Sequence, residues 1–188
     1  MRLCVDLVGV HMNRLPASWQ TDRLHIADGV LESVPRLMAI FNACSHVGQW
    51  DPTFQIYPEE EFAGLVTRSM VDGVGNGRFQ LQTIGHNDQL IGYFHCHHHH
   101  PQPQTLLISM FVLHPDVQKG GFGTEMIAGL AHTAKAIGHH AIWLEIFLKN
   151  WPALRFWIKC GFTTIIDMDG APQHDATSHA SIVVAKNL

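Results

Sequence analysis

The segment Thr105–Leu113 is an apolar run that leads through His114-Pro115-Asp116-Val117-Gln118-Lys119 into Gly120-Gly121-Phe122-Gly123. A run of this kind suits a central strand buried on both faces. Phe122, Met126, Leu130, Ala134 and Ile137 then recur at helical spacing, so an amphipathic helix opens in the glycines. The first turn of a helix carries unpaired N–H groups and the positive end of the backbone dipole. Glycine lets a bulky group approach that backbone closely, and strand, glycine loop and helix together make an anion site, most often for phosphate.

The elements around this unit follow from periodicity. Thr21–Ile26 alternates polar and apolar residues and reads as a short strand. Leu31, Val34, Met38 and Phe41 mark a helix within Val30–Cys44, and Ser45–Pro58 reads as a loop. Glu59-Glu60-Glu61 opens a second helix with buried face Phe62, Leu65, Val66 and Met70; acidic residues suit that end because of the dipole. Arg78–Ile84 and Gln89–His97 are strands around a Gly85-His86-Asn87-Asp88 turn. Ala141–Leu148 is a strand. Asn150 before Pro152 signals a helix whose apolar stripe is Ala153, Phe156, Trp157 and Cys160. Phe162–Asp167 and Ser181–Lys186 close the chain as strands. The order β-α-α-β-β-β-α-β-α-β-β describes an α/β (α+β) domain with a mixed sheet, over residues 21–188, preceded by an extension over 1–20.

Composition narrows the function classes. The 188 residues amount to about one domain of ordinary size. Only 15% are charged while 15 are histidine, and the net charge is −4, which argues against a basic nucleic-acid-binding surface. No apolar run reaches the ~20 residues of a membrane span. Met1–Val10 faintly resembles a signal sequence, but Asp6 interrupts its short apolar stretch. Cys4, Cys44, Cys96 and Cys160 lie far apart, without a disulfide or zinc framework. A cytoplasmic protein with no nucleic-acid or membrane partner is the expectation.

Three phosphate-loop patterns compete for the glycines. G-x-x-x-x-G-K-[ST] is absent, since no lysine is followed by Ser or Thr. G-x-G-x-x-G meets Met126 at its last position, and the loop falls too late in the chain for a second mononucleotide half. Q/R-x-x-G-x-G/A fits as Gln118-x-x-Gly121-x-Gly123. With His114-Pro115 before it, this segment resembles the pyrophosphate motif of the GNAT acyl-coenzyme A-dependent N-acetyltransferases. Asn150-x-x-Ala153-x-x-Phe156-Trp157-x-Lys159-x-Gly161-Phe162 resembles that family's second cofactor motif, and the element order is similar from Thr21 onward.

The resemblance implies a GNAT-like, mostly antiparallel sheet flanked by helices, and acetyl-coenzyme A as co-substrate. Amides from Gln118 to Thr124, those of Lys119, Gly120, Gly121 and Gly123 included, would hold the pyrophosphate. Backbone at Phe111 and Leu113 would pair with the pantetheine arm, and Asn150 would contact it farther along. Capping alone also explains the glycines and Asn150. Much of the family has tyrosine, as acid toward the departing thiolate, where this chain has Trp157. An indole N–H hydrogen-bonds but is no general acid, so Trp157 is either a cofactor contact or core. Tyr93, His95 and Cys160 are the substitutes for that acid.

Acetyl transfer to an amine needs a base to remove a proton and a donor for the developing oxyanion. Glu145 on the strand Ala141–Leu148 is the candidate base. Leu144-Glu145-Ile146-x-x-x-Asn150 and, weakly, Thr21-Asp22-Arg23-Leu24 resemble ribosomal-protein N-terminal alanine acetyltransferases; a strand-end carboxylate paired or solvated is the other reading of Glu145. The expected activity is direct acetyl transfer to a primary amine of a protein N-terminus or a small molecule, by a monomer or homodimer, the alternative being a weak or inactive coenzyme A-binding regulatory domain. The acceptor would sit among the Ser45–Pro58 loop, the early helices and the Gln89–Thr105 hairpin, where Trp50, Asp51 and Glu59–Glu61 could draw a cation. In His95-Cys96-His97-His98-His99-His100, strand alternation would bring His95, His97 and His99 to one face. Without a distant ligand pair, no metal site is expected.

Overall fold

The computed structural model describes residues 13–51, 54–75, 77–171, 173, 175 and 179–188. Among the described residues, eight strands form one sheet in the order β1-β2-β3-β4-β5-β6-β8-β7. They are β1 (Ser18–Gln20), β2 (His25–Asp28), β3 (Phe79–His86), β4 (Gln89–His98), β5 (Thr105–Leu113), β6 (Ala141–Phe147), β7 (Thr164–Gly170) and β8 (Ala180–Asn187). Only β5 and β6 run parallel, as a strand pair joined by a helical crossover must. The helices are α1 (Val34–Ala43), α2 (Glu59–Val74), α3 (Phe122–Ala136) and α4 (Trp151–Lys159).

Each face of the sheet carries its own core. Val34, Leu37, Ile40 and Phe41 of α1 and Phe62 and Val66 of α2 pack on Phe79, Leu81, Tyr93 and Val112. Met126, Ile127 and Leu130 of α3 and Trp157 of α4 pack on Phe94, Leu106, Ile142, Leu144 and Phe162. Alternation along the strands sorts the two sets, since successive side chains point to opposite faces.

The mixed α/β architecture follows the sequence expectation, with three local differences. Thr21–Leu24, expected within a strand, is a turn closed by Thr21 N–H to Leu24 O (3.0 Å), and two short strands flank it. The sheet accordingly begins before Thr21, while Met1–Val10 and Cys4 lie outside the described residues. Leu31 is 49% exposed because it lies in a 3-10 turn ahead of α1, and Leu37 and Ile40 take the buried stripe. Met70 is likewise exposed, whereas Ser69 is buried and its hydroxyl accepts from Leu81 N–H (2.9 Å). The three glutamates opening α2 are all exposed, the solvated arrangement that the dipole favours. Among the described residues no helix is long and apolar enough to cross a membrane.

Candidate active site

Strands β5 and β6 are paired only from Thr105–Ala141 to Ile108–Leu144. Beyond that, β5 continues to Leu113 against β4 alone and β6 continues to Phe147 against β8 alone. The sheet therefore opens in its middle, and β5 presents there a backbone edge without a strand partner among the described residues. A bulge lies at the parting point: His95 faces Met110 and Cys96 faces Ile108, so Ser109 is the extra residue of β5. Phe111 and Leu113 stand on the open stretch. The Phe111 ring stacks on Phe156 (5.9 Å between centroids) and meets Trp157 edge-on (5.7 Å).

The glycine loop closes one end of this opening. Gln118 ties it to the strand, donating from Nε2 to Leu113 O (2.9 Å), while its own amide is engaged with Pro115 O (3.1 Å). The amide of Gly120 reaches Val117 O (3.4 Å). Gly121 caps α3 with φ +83°, a left-handed conformation that glycine adopts without a Cβ penalty. The first helical bond runs from Glu125 N–H to Gly121 O (3.0 Å), so the N–H groups of Phe122, Gly123 and Thr124 are outside the helical ladder. A Cβ on Gly123 would stand 3.0 Å from the Phe156 ring, which would have to give by a few tenths of an ångström to admit it. Lys119 and Thr124 are exposed beside these amides. Of the sequence-expected loop residues, the structure brings together Lys119, Gly121, Gly123 and Thr124 around free amides. Gln118 and Gly120 spend theirs inside the loop.

On the other side of the opening stands Glu145, one residue past the last β5–β6 pair. Its neighbours Leu144 and Ile146 are buried in the α3/α4 core, so Glu145 faces the α1/α2 side, exposed, and accepts a hydrogen bond from Ser181 Oγ on β8. Ser109 is likewise one residue past the last pair, and its hydroxyl lies 2.7 Å from Nδ1 of His95. His95 packs beside Phe79 of the α1/α2 core (5.3 Å). A carboxylate and a hydroxyl–imidazole pair thus flank the parting point on the same face. Burial, then His97 and Arg68, lower the His95 pKa to about 3, which keeps its ring neutral. Sequence reasoning misses Ser109; the available signal is a single polar residue inside the apolar stretch 106–113.

The remaining sequence-expected residues divide plainly. Trp157 is 7% exposed and wedged among Phe111, Phe156 and Phe162 (5.1 Å to the last), which makes it core. Asn150 caps α4, its Oδ1 accepting from Ala153 N–H (3.2 Å). Tyr93 is 1% exposed within the α1/α2 core, and burial, with Cys44 and Tyr57 nearby, raises its pKa well above the phenolic range. Burial also raises the Cys160 thiol, outweighing a hydrogen bond from Thr124 and two nearby lysines. Only His95 of the three alternative acids lies at the parting point.

The histidine tract is not convergent as strand alternation suggested. Strand β4 ends at His98, and His99 turns away with φ +52°. His95 and His97 stay beside Phe79, whereas His98 and His99 lie against His139 (5.3 and 4.9 Å). Among the described residues no group of three or more His, Cys, Asp or Glu side chains is disposed to hold a metal ion.

The acetyltransferase (GNAT) family profile matches residues 36–162. Comparison with curated proteins finds no match. Among solved structures, the acetyltransferase that modifies the N-terminal serine of a 50S ribosomal subunit protein in Salmonella typhimurium superposes with a TM-score of 0.75 at 15% identity, covering 93% of this chain and 98% of that one. An acetyltransferase from Thermus thermophilus gives 0.72 at 17% identity, over 90% and 100%. A microcin self-immunity acetyltransferase solved with acetyl-CoA and AMP gives 0.72 at 16% identity, over 95% and 99%. The parted parallel strands, the glycine-capped helix and a family profile spanning most of the chain lead to one assignment: this protein belongs to the GNAT acetyltransferase family.

Proposed function

We propose that this acetyltransferase moves an acetyl group from acetyl-coenzyme A directly to a primary amine, on a protein N-terminus or a small molecule. The observation that carries the reading is the opening between β5 and β6, with free first-turn amides of α3 at one end and Glu145 at the parting point. The amides of Phe122, Gly123 and Thr124 suit a pyrophosphate, and the unpaired edge of β5 suits the amide-bearing pantetheine arm. At the parting point the amine nitrogen attacks the thioester carbonyl, the C–N bond forms and the C–S bond breaks. Glu145 takes the amine proton, directly or through water, and the thiolate leaves; a thiol of pKa near 8.5 departs with modest help. No cysteine or serine occupies a recognisable nucleophile motif in the sequence, so the transfer needs no acyl-enzyme.

The reading is tested by titrating the protein with acetyl-coenzyme A in a calorimeter. Saturable micromolar binding, lost when Gly121 and Gly123 are replaced by valine, supports it; absence of binding overturns it. A second reading, a coenzyme A-binding regulatory domain, is favoured by Trp157, an inert core side chain where much of the family has a proton donor. Acceptor-dependent thiol release across peptides, amino acids, polyamines and aminoglycosides separates the two, since a binding domain releases no thiol with any of them.

A further inference from the structure

The Thr21-Asp22-Arg23-Leu24 turn is far from the glycine loop in sequence, Arg23 standing 102 residues before Glu125, yet it is fastened to it. Glu125, in the first turn of α3, takes three hydrogen bonds from this turn. Its Oε1 accepts from Thr21 Oγ1 (2.6 Å) and from Arg23 N–H (2.7 Å), and its Oε2 accepts from Arg23 Nε (2.6 Å). The Arg23 guanidinium lies over the Phe122 ring (4.3 Å), and Nη1 donates to Gly120 O (3.3 Å). Nη2 has no hydrogen-bond partner among the described residues, and it stands 3.3 Å from where a Cβ of Gly121 would be. The side chain is 44% exposed.

We propose that Arg23 is a phosphate-binding residue of the acetyl-coenzyme A site, aimed by Glu125 and Phe122; this rests on the functional reading above. A carboxylate in the first turn of α3 repels any anion brought to those amides, and Arg23 cancels that charge from the side. The guanidinium is a planar fork with five donors. Its Nε is spent on Glu125, and Nη2 remains for an anion beside Gly121. Stacking on Phe122 holds the plane, so little side-chain freedom is left to lose on binding.

The test titrates wild type, Arg23→Gln and the double variant Arg23→Gln/Glu125→Gln with acetyl-coenzyme A and with phosphate-free S-acetylpantetheine, following thermal melts in parallel. A charged hydrogen bond is worth roughly 1.5–3 kcal/mol, about tenfold to a hundredfold in affinity. Arg23→Gln is expected to weaken acetyl-coenzyme A by roughly that factor and to leave S-acetylpantetheine unchanged. The double variant stays weak, because the lost contact was to phosphate. Wild-type affinity in Arg23→Gln overturns the proposal. So does recovery in the double variant, which reduces Arg23 to a neutraliser of Glu125, and so does an equal loss for both ligands, the mark of a structural role. If Arg23→Gln melts below the titration temperature, the double variant, with no uncompensated carboxylate, decides alone. Failure of wild type to bind either ligand refutes the acetyl-coenzyme A site itself.

Discussion

Glu145 on β6 and Ser181 on β8 are diagonal neighbours, and the Ser181 hydroxyl donates to the Glu145 carboxylate. The bond fixes an otherwise exposed carboxylate at the point where β5 and β6 part. As the base proposed above, Glu145 held there would meet an incoming amine in one orientation. Glu145→Gln is expected to lower turnover by roughly a hundredfold or more, the scale of general-base contributions, with acetyl-coenzyme A affinity nearly intact. Ser181→Ala keeps the base and loses its aim, so turnover falls by a smaller factor. Steady-state kinetics with a responding amine, beside calorimetry, checks both. Unchanged turnover in Glu145→Gln removes it as base.

His95 and Ser109 form the second polar pair at the parting point, 2.7 Å apart. With a pKa of about 3, His95 stays neutral across the working pH range. Ser109→Ala is expected to reduce kcat/KM for the acceptor while acetyl-coenzyme A binding holds. In His95→Gln the rate falls without a change in the shape of the pH–rate profile above pH 5. A basic limb that disappears in His95→Gln would show that the ring titrates during turnover.

Trp157 fills the space between Phe111, Phe156 and Phe162. Trp157→Ala is expected to cost about 3–5 kcal/mol of stability, as for other large core aromatics, measured by denaturant unfolding. Trp157→Phe retains most of the packing and leaves the pH–rate profile unchanged, because the indole neither gains nor loses a proton.

His98 and His139 predict acid sensitivity. Gln80 Nε2 donates to Asp28 Oδ1 (2.7 Å) and Leu15 O (3.2 Å), so its Oε1 accepts from His98 Nε2–H (2.8 Å). His98 Nδ1 must then accept from His139 Nε2–H (3.0 Å). A proton on His98 Nδ1 sets two N–H groups against each other. Burial, then His139, Arg14, His99 and His97, lower the His98 pKa to about 3. Burial, then His99 and His140, lower that of His139 to about 4 against a pull from Gln104. Both folded values lie below the unfolded value near 6.5, so the unfolded chain binds more protons in between. Stability is full above about pH 6.5 and falls as pH drops toward 4, by roughly 1 kcal/mol per pH unit for each extra proton the unfolded chain binds. Melting temperature against pH shows this slope, and His98→Gln reduces it.

The motifs that carry short-range physics were legible in the chain itself. Asn150 before Pro152 caps a helix wherever it occurs, and an apolar strand running into Gly121 and Gly123 makes a helix start open to an anion. Glu145 stood out as the carboxylate on the strand after that helix. The roles that depend on partners far away in sequence were not legible. Nothing local shows that β5 leaves β6 at Ile108, which promotes Ser109 to the parting point. His99 read as part of an alternating strand until the turn at φ +52° carried it to His139. Arg23 gained its place only because the sheet brings residue 23 beside residue 125. By itself, the sequence determined the sorted faces, the caps and the glycine-capped loop, because these depend on a few neighbouring residues and the backbone they share. Tertiary structure alone decided which polar groups meet at the opening, because strand register and the ends of pairing are set by packing across the whole sheet.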